Sequence, residues 1–279
     1  FSGIILIKKF KVRFKLYYSQ EFVKKIIAIT LPFALAAIFA KVYAYMDTFL
    51  LKMFMGDAEV GFYSIAYKIT FALQFIPLAF VAALYPAFSS YFKDNYEQLK
   101  KVFAKAFNYL AFIALPVSLG VIALADEIVS KLYTQEFNFS VLPLQVLIAS
   151  IPFLFINFSL ASFLNATNKQ KINTRNLGIV MVLNVVLNII FIPRFGIWGA
   201  SLASSLSTLL LFILNLSAVM QVTSFKAKLF KPLVGSLFSA LVMFGAVLYL
   251  KGIIHWVLTI IAGGIIYLLL MFITKTLKR

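Results

Sequence analysis

The sequence predicts an all-α, polytopic membrane protein with eight transmembrane helices. Hydrophobic residues make up 63% of the 279 positions, and the mean hydropathy is +0.98. A chain of this composition has too little polar surface to remain soluble. A bilayer core requires about 20 apolar residues per helix. Eight segments meet this requirement: 26–50, 60–88, 107–125, 141–164, 177–193, 197–222, 233–250 and 253–273.

Lysines and arginines are concentrated in every second loop, and this alternation predicts the orientation of the chain in the membrane. Basic clusters precede the first segment, follow the eighth, and separate the second from the third, the fourth from the fifth and the sixth from the seventh. The other loops carry five of the nine acidic residues. Because cytoplasmic loops are enriched in Lys and Arg, both termini are predicted to be cytoplasmic, with the chain in the plasma membrane.

The net charge of +17 and the rare residue types exclude several function classes. A nucleic-acid partner would need the basic residues on one soluble surface, whereas here they flank membrane segments. The chain has no cysteine, and the single His255 cannot build a metal site. No glycine-rich phosphate loop or Ser/His/Asp set occurs. We therefore predict no catalytic residue, no metal, no cofactor and no enzymatic activity.

Ionisable residues inside the apolar segments are the candidate binding residues: Lys41, Asp47 and Lys52 in or beside the first segment, and Lys68 in the second. Each costs about 2.5–3.5 kcal/mol in the bilayer, so such groups usually face the bundle interior and serve a function. At about 1.5 Å per residue, Lys41 and Lys68 lie roughly 13 and 12 Å below the outer face. If both point inward, their repulsion requires Asp47 or a bound anion between them.

The charge balance of these residues suits an anionic ligand. Lys41 and Lys52 share one helix face, whereas Asp47 is rotated by roughly 120° from Lys41. Counting Lys41, Lys52 and Lys68 against Asp47 leaves two positive charges, which matches a diphosphate. Two alternatives stay open. Lys52 can extend to the outer headgroups, and Lys41 or Lys68 can pair with Asp47 to fix helix packing.

Two further patterns concern packing within the membrane. Asn184 and Asn188 share a face of the fifth segment, beside Asn165, and are predicted to join helices by hydrogen bonds. Proline removes a backbone donor and tends to kink a helix, so kinks are expected at four of the prolines inside segments: Pro32, Pro77, Pro116 and Pro152.

Two stretches resemble the polysaccharide-exporter branch of the MATE-like multidrug/oligosaccharidyl-lipid/polysaccharide superfamily. The first, 46–70, contains Asp47, the run GFYS at 61–64, Tyr67 and Lys68. The second is 164–207; its matching features are Asn184, Asn188, Ile192-Pro193, Phe195-Gly196-Ile197 and Gly199-Ala200. Members of this family typically have two six-helix lobes, often followed by two more helices.

The resemblance implies a domain organisation. Residues 26–222 would form the second six-helix lobe and residues 223–279 the two terminal helices. Residues 1–25 would be the remnant of a preceding span and a basic cytoplasmic linker. The N-terminal lobe, on the same or a separate chain, would be missing. The resemblance implies that cationic residues lining the cavity between the lobes hold a diphosphate. Lys41, Lys68 and Lys52 are the cationic candidates here, and Asp47 is the acidic residue expected in the same substrate-binding site.

The leading hypothesis is therefore that this chain is part of a flippase. The flippase would move polyprenyl-diphosphate-linked oligosaccharide across the cytoplasmic membrane by alternating access, for surface polysaccharide synthesis. Membrane lipid, the lipid-linked glycan and the missing lobe would be its partners. One alternative is a cation-coupled drug or peptidoglycan-precursor exporter of the same superfamily, although cationic drugs would favour buried carboxylates. Another is a non-transporting scaffold of a polysaccharide synthase complex, in which the buried charges could be neutralised without loss of function.

Overall fold

The structure, a computed structural model, describes residues 19–223 and 231–274. Within these residues the chain forms α-helices joined by short turns, with one 3₁₀ helix at Gln135–Ser140. The helices are α1 Gln20–Met55, α2 Asp57–Leu73, α3 Phe75–Asp94, α4 Tyr96–Leu132, α5 Val141–Ala149, α6 Ile151–Ala166, α7 Gln170–Phe195, α8 Ile197–Thr223, α9 Lys231–Leu250 and α10 Trp256–Ile273.

The predicted number of membrane spans is confirmed. Seven helical units in the described ranges are long and apolar enough to cross a bilayer, with α2 and α3 counted as one. Counting the bent pair α5–α6 as one span gives the eighth. The longest helices, α1 and α4, have 36 and 37 residues. At 1.5 Å per residue each exceeds the roughly 30 Å of a bilayer core and projects beyond it.

Two of the four prolines expected to kink helices coincide with helix breaks. Gln74 separates α2 from α3 three residues before Pro77, because Pro77 has no N–H to donate to the Leu73 carbonyl. Ser150 separates α5 from α6 just before Pro152, where the chain bends by 42°. Pro32 and Pro116 instead lie inside the continuous helices α1 and α4.

Glycines define two of the tight turns. Gly56 ends α1 with φ 94°, and Gly196 ends α7 with φ 57°; both values lie in a region that side-chain-bearing residues rarely adopt. A Cβ at Gly199 would collide with the backbone carbonyl of Phe191. Glycine therefore permits the close crossing of α7 and α8, which pack together more extensively than any other helix pair described.

The terminal hairpin α9–α10 docks mainly on α4. The Tyr267 hydroxyl donates to the Phe112 carbonyl at 2.8 Å and lies 2.6 Å from the Ser236 hydroxyl. Near the other end of the hairpin, the Lys251 ammonium is 2.6 Å from the Asp126 carboxylate. The expected division at residue 223 adjoins residues 224–230, and the expected remnant and linker, residues 1–25, fall mostly within residues 1–18. Both segments lie outside the described residues, so the division into domains stays a prediction.

Candidate functional site

Asp47 lies at the centre of a polar cluster inside the helix bundle, with only 2% of its surface exposed. The Tyr63 hydroxyl on α2 donates to Asp47 Oδ2 at 2.7 Å, and the Ser204 hydroxyl on α8 donates to the same oxygen. The Asn188 amide on α7 donates to Asp47 Oδ1 at 2.7 Å. With Asn184, one turn away on α7, these residues form what we call the Asp47 cluster. It joins α1, α2, α7 and α8 through one carboxylate.

The Asp47 cluster retains hydrogen-bonding groups that have no partner. Asn184 is fully buried, and its Oδ1 makes no hydrogen bond. Asn188 Oδ1 is likewise buried without a partner. Buried polar atoms are normally paired, so atoms left unpaired need an explanation such as an ion or water that binds there.

Within residues 19–223 and 231–274, no positive side chain pairs with the carboxylate of the Asp47 cluster. Among the residues that the structure describes, ion pairs join Lys52 to Asp57, Lys100 to Glu97 and Lys251 to Asp126, and none includes Asp47. A buried carboxylate without a countercharge is costly. Carboxylate, amide and hydroxyl oxygens are ligands for small, hard cations, and a carboxylate also accepts a proton. This arrangement is chemically suited to hold one cation or one proton.

The two central lysines lie on the surface of the bundle and not inside it. Lys41 on α1 and Lys68 on α2 are both exposed, so the condition that both point into the bundle is not met by these helices. Asp47 does not lie between them, because Tyr63, Asn188 and Ser204 occupy its carboxylate. The rotation of roughly 120° between Lys41 and Asp47 places them on different faces of α1.

Lys41 and Lys68 nevertheless occupy comparable depths. Lys41 lies fourteen residues before the end of α1 and Lys68 eleven residues after the start of α2. At about 1.5 Å per residue, they lie roughly 21 and 17 Å from the turn that joins the two helices, deeper than the sequence suggested. The Lys41 ammonium is 5.6 Å from the centre of the Tyr45 ring. No ion pair to either lysine occurs within the two described ranges.

Lys52 has a different environment from the two central lysines. It lies in the last turn of α1, and its ammonium is 3.0 Å from the Asp57 carboxylate across the helix turn. Both side chains are largely exposed. Since Asp57 already neutralises Lys52, Lys41 and Lys68 are the two candidate lysines that have no ion pair within the described residues.

A second polar cluster, which the sequence did not reveal, joins α6, α7 and α8. The Asn215 amide donates to Asn157 Oδ1 at 2.8 Å and to Asn173 Oδ1 at 3.2 Å, and its own Oδ1 accepts from Asn176 at 2.9 Å. Asn173 also donates to Asn165 Oδ1 at 3.3 Å. We call these five residues the asparagine cluster. None of them has a buried side-chain atom without a partner.

The asparagines thus divide between two clusters in a way that differs from the prediction. Asn188 does join helices, as expected, but its partner is Asp47. Asn165 contacts Asn173 and not the pair Asn184 and Asn188. The spacing along α7 could have indicated two separate clusters, because Asn176 precedes Asn184 by eight residues, or about 12 Å.

Conventional metal-binding side chains do not cluster in the part of the chain that the structure describes: no group of three or more His, Cys, Asp or Glu occurs there. His255 caps the start of α10, where its ring nitrogen accepts from the Val257 amide at 3.4 Å. The structural role predicted for this histidine is consistent with that contact.

The comparisons with known proteins identify the family. A family model described as "Polysaccharide biosynthesis protein" matches residues 1–142, which is just over half of the chain. The chain is 26% identical over 166 residues to a probable low-salt glycan biosynthesis flippase, Agl15, of Haloferax volcanii, covering 59% of this chain and 35% of that protein. It is 28% identical over 199 residues to a probable lipid II flippase, MurJ, of Helicobacter pylori, covering 67% and 42%.

A solved structure shows the same fold. The chain superposes on a lipid II flippase, MurJ, in an inward closed conformation, with a TM-score of 0.74 and 18% identity. The match covers 99% of this chain and 60% of the solved chain. The chain spans well under half the length of the two curated relatives it matches. The family match, the apolar helices and the shared fold identify this chain as a multi-pass membrane protein that belongs to the polysaccharide biosynthesis protein family.

Proposed function

We propose that this chain forms one lobe of a flippase that moves polyprenyl-diphosphate-linked oligosaccharide across the cytoplasmic membrane for surface polysaccharide synthesis. The observation that carries the proposal is the position of Lys41 and Lys68. Both are exposed on the surface of the lobe, unpaired with any described acidic residue, at the depth of the bilayer. Together they offer two positive charges to a diphosphate.

The cost of exposing these lysines supports a polar compartment beside them. An ammonium group that faces lipid at this depth costs about 2.5–3.5 kcal/mol, so such residues face a bundle interior or an aqueous cavity. Only four of the 36 residues of α1 are buried, which leaves most of this helix available to a further part of the transporter. A second lobe packed over α1 and α2 would enclose Lys41 and Lys68 in a cavity.

The names of the curated relatives also support a flippase function. Proteins named as glycan biosynthesis flippase, lipid II flippase and O-antigen transporter all match this chain. We propose alternating access between the two lobes, a location in the plasma membrane and cytoplasmic termini, as the distribution of basic loops predicts. The reaction moves a lipid from one leaflet to the other and breaks no covalent bond, so the proposed protein is not an enzyme.

The Asp47 cluster favours ion coupling as the energy source of the transport. Its carboxylate lacks a countercharge, and oxygens of Asn184 and Asn188 lack partners. This observation also keeps the cation-coupled exporter as the second candidate. The two candidates differ in the charge of the transported molecule. Lys41 and Lys68 would repel a cationic drug, whereas they would attract a diphosphate.

Charge substitutions in the full-length protein test the proposal. In cells that depend on it for surface polysaccharide, the double variant Lys41→Ala, Lys68→Ala should abolish export and cause lipid-linked precursor to accumulate. The double variant Lys41→Arg, Lys68→Arg should retain export because it keeps both charges. Lys105→Ala is the matched control and should export normally, because Lys105 is exposed near the start of α4, outside the apolar segment 107–125.

The outcome discriminates between the hypotheses. Normal export in the double alanine variant would remove the two lysines from the mechanism and favour the non-transporting scaffold. Loss of export in the arginine variant as well would show that shape at these positions, and not charge, is what matters.

A further inference from the structure

Four aromatic rings follow one another along α2 and α3, from the interior of the lobe to its surface. The ring centres of Tyr63 and Tyr67 are 6.2 Å apart, and the next two steps, to Phe71 and then Phe75, are each 6.0 Å. Tyr63 is fully buried, whereas Phe71 is 47% and Phe75 62% exposed. We call these residues the aromatic row. It crosses the break at Gln74 without interruption.

The exposed end of the aromatic row shares its surface with Lys68. At 100° per residue, Lys68 is roughly 60° from Phe71 around the axis of α2, and both are exposed. The same argument that places Lys68 beside a polar compartment therefore applies to Phe71 and Phe75.

Exposed aromatic rings beside a cation suit a sugar better than a hydrocarbon chain. The face of an aromatic ring carries negative potential and attracts polarised C–H groups such as those on one side of a pyranose. The hydroxyl groups around the sugar require donors and acceptors nearby. A saturated or isoprenoid chain requires neither, and aliphatic side chains would serve it equally well.

We propose that Tyr67, Phe71 and Phe75 form the surface on which sugar rings of the lipid-linked glycan stack while Lys68 holds the diphosphate. This inference rests on the proposed function. The aromatic row then contributes to selection of the glycan-bearing lipid over the bare lipid, because only the former has sugar rings to place on it. Tyr63 anchors the buried end through its hydrogen bond to Asp47.

Binding of two probes to the full-length protein tests this inference. One probe is farnesyl diphosphate, and the other is the pool of prenyl-diphosphate-linked glycans extracted from the source cells, with both occupancies measured by native mass spectrometry. The double variant Phe71→Leu, Phe75→Leu keeps apolar bulk but removes the ring faces. It should weaken glycan-lipid binding by roughly two- to tenfold and leave farnesyl diphosphate binding unchanged.

Two further variants complete the comparison. Phe71→Tyr, Phe75→Tyr keeps both rings and should bind the glycan-lipid pool as the wild type does. Phe238→Leu changes a phenylalanine on α9 of similar exposure, 57%, and should alter neither affinity.

Other binding results would contradict either the stacking proposal or the proposed function. Equal weakening of both probes by the leucine variant would assign the aromatic row to the prenyl or diphosphate part of the ligand, and no weakening of either would remove it from the site. Both results contradict the stacking proposal while leaving the flippase proposal intact. A wild-type protein that binds neither probe would contradict the proposed function itself.

Discussion

The Asp47 cluster and the asparagine cluster are two buried polar networks on the same helix, α7, and they differ in charge and completeness. The asparagine cluster contains only neutral amides, and every buried side-chain atom in it has a partner. The Asp47 cluster contains a carboxylate with no countercharge among the described residues and two unpartnered amide oxygens, on Asn184 and Asn188. The two networks are separated by about 12 Å along α7.

This difference separates packing from function. A neutral network whose atoms are all satisfied gains nothing from a ligand and serves to fix the register of the helices it joins. A charged network with unpaired oxygens is stabilised by whatever cation or proton enters it, so its state depends on the medium. We expect the asparagine cluster to determine stability and the Asp47 cluster to respond to ions.

The largest expected effect is on ion coupling. Asp47→Asn preserves the shape of the side chain and one acceptor oxygen but removes the negative charge. We expect transport driven by a cation or proton gradient to fall at least tenfold, with a melting temperature close to that of the wild type. The measurement is gradient-driven transport by the full-length protein in vesicles. Undiminished coupling in this variant would assign the Asp47 cluster to packing alone.

An intermediate effect is expected on stability. Asn215→Leu removes the centre of the asparagine cluster and leaves the amides of Asn157, Asn173 and Asn176 without it. Buried groups left unpaired cost about 1–3 kcal/mol, so the melting temperature should fall by several degrees. The response of the melting temperature to added cation should stay the same as in the wild type. A changed ion response would mean that the two networks are not independent.

The smallest expected effect is on stability when Tyr63 loses its hydroxyl group but keeps its ring. Tyr63→Phe keeps the ring in the aromatic row and removes one of the three donors to Asp47. We expect a loss of about 0.5–1.5 kcal/mol in unfolding free energy, measured by thermal denaturation, because a single hydrogen bond is lost. Glycan-lipid binding should be unchanged, and a loss there would link the hydroxyl to the ligand surface.

Much of the fold was readable from the sequence because helix length and hydropathy are local properties. The apolar segments predicted the spans, and Pro77 and Pro152 predicted the two breaks. Pro32 and Pro116 gave the same local signal but lie in continuous helices. At Pro32, α7 packs closely against α1, and the Thr174 hydroxyl donates to the Pro32 carbonyl at 2.8 Å.

The site was only partly readable because its contacts join helices that are distant in sequence. Helical rotation already separated Asp47 from Lys41, and the structure agrees. The partners of Asp47 are 16, 141 and 157 residues away, so no local pattern identifies Tyr63, Asn188 and Ser204 as neighbours. Asn165 was expected beside Asn184 because the two segments are consecutive, but Asn173, close to the start of α7, lies nearer along the chain and donates to Asn165.

The most direct test of the contrast between the two networks is a comparison of flipping by three forms of the full-length protein in vesicles that carry the source cells' lipid-linked glycans. The appearance of glycan in the opposite leaflet is followed with an impermeant oxidant, with and without an imposed ion gradient. We predict that wild type and Asn215→Leu respond to the gradient, whereas Asp47→Asn does not. A gradient response in Asp47→Asn equal to that of the wild type, or its loss in folded Asn215→Leu, would contradict the account.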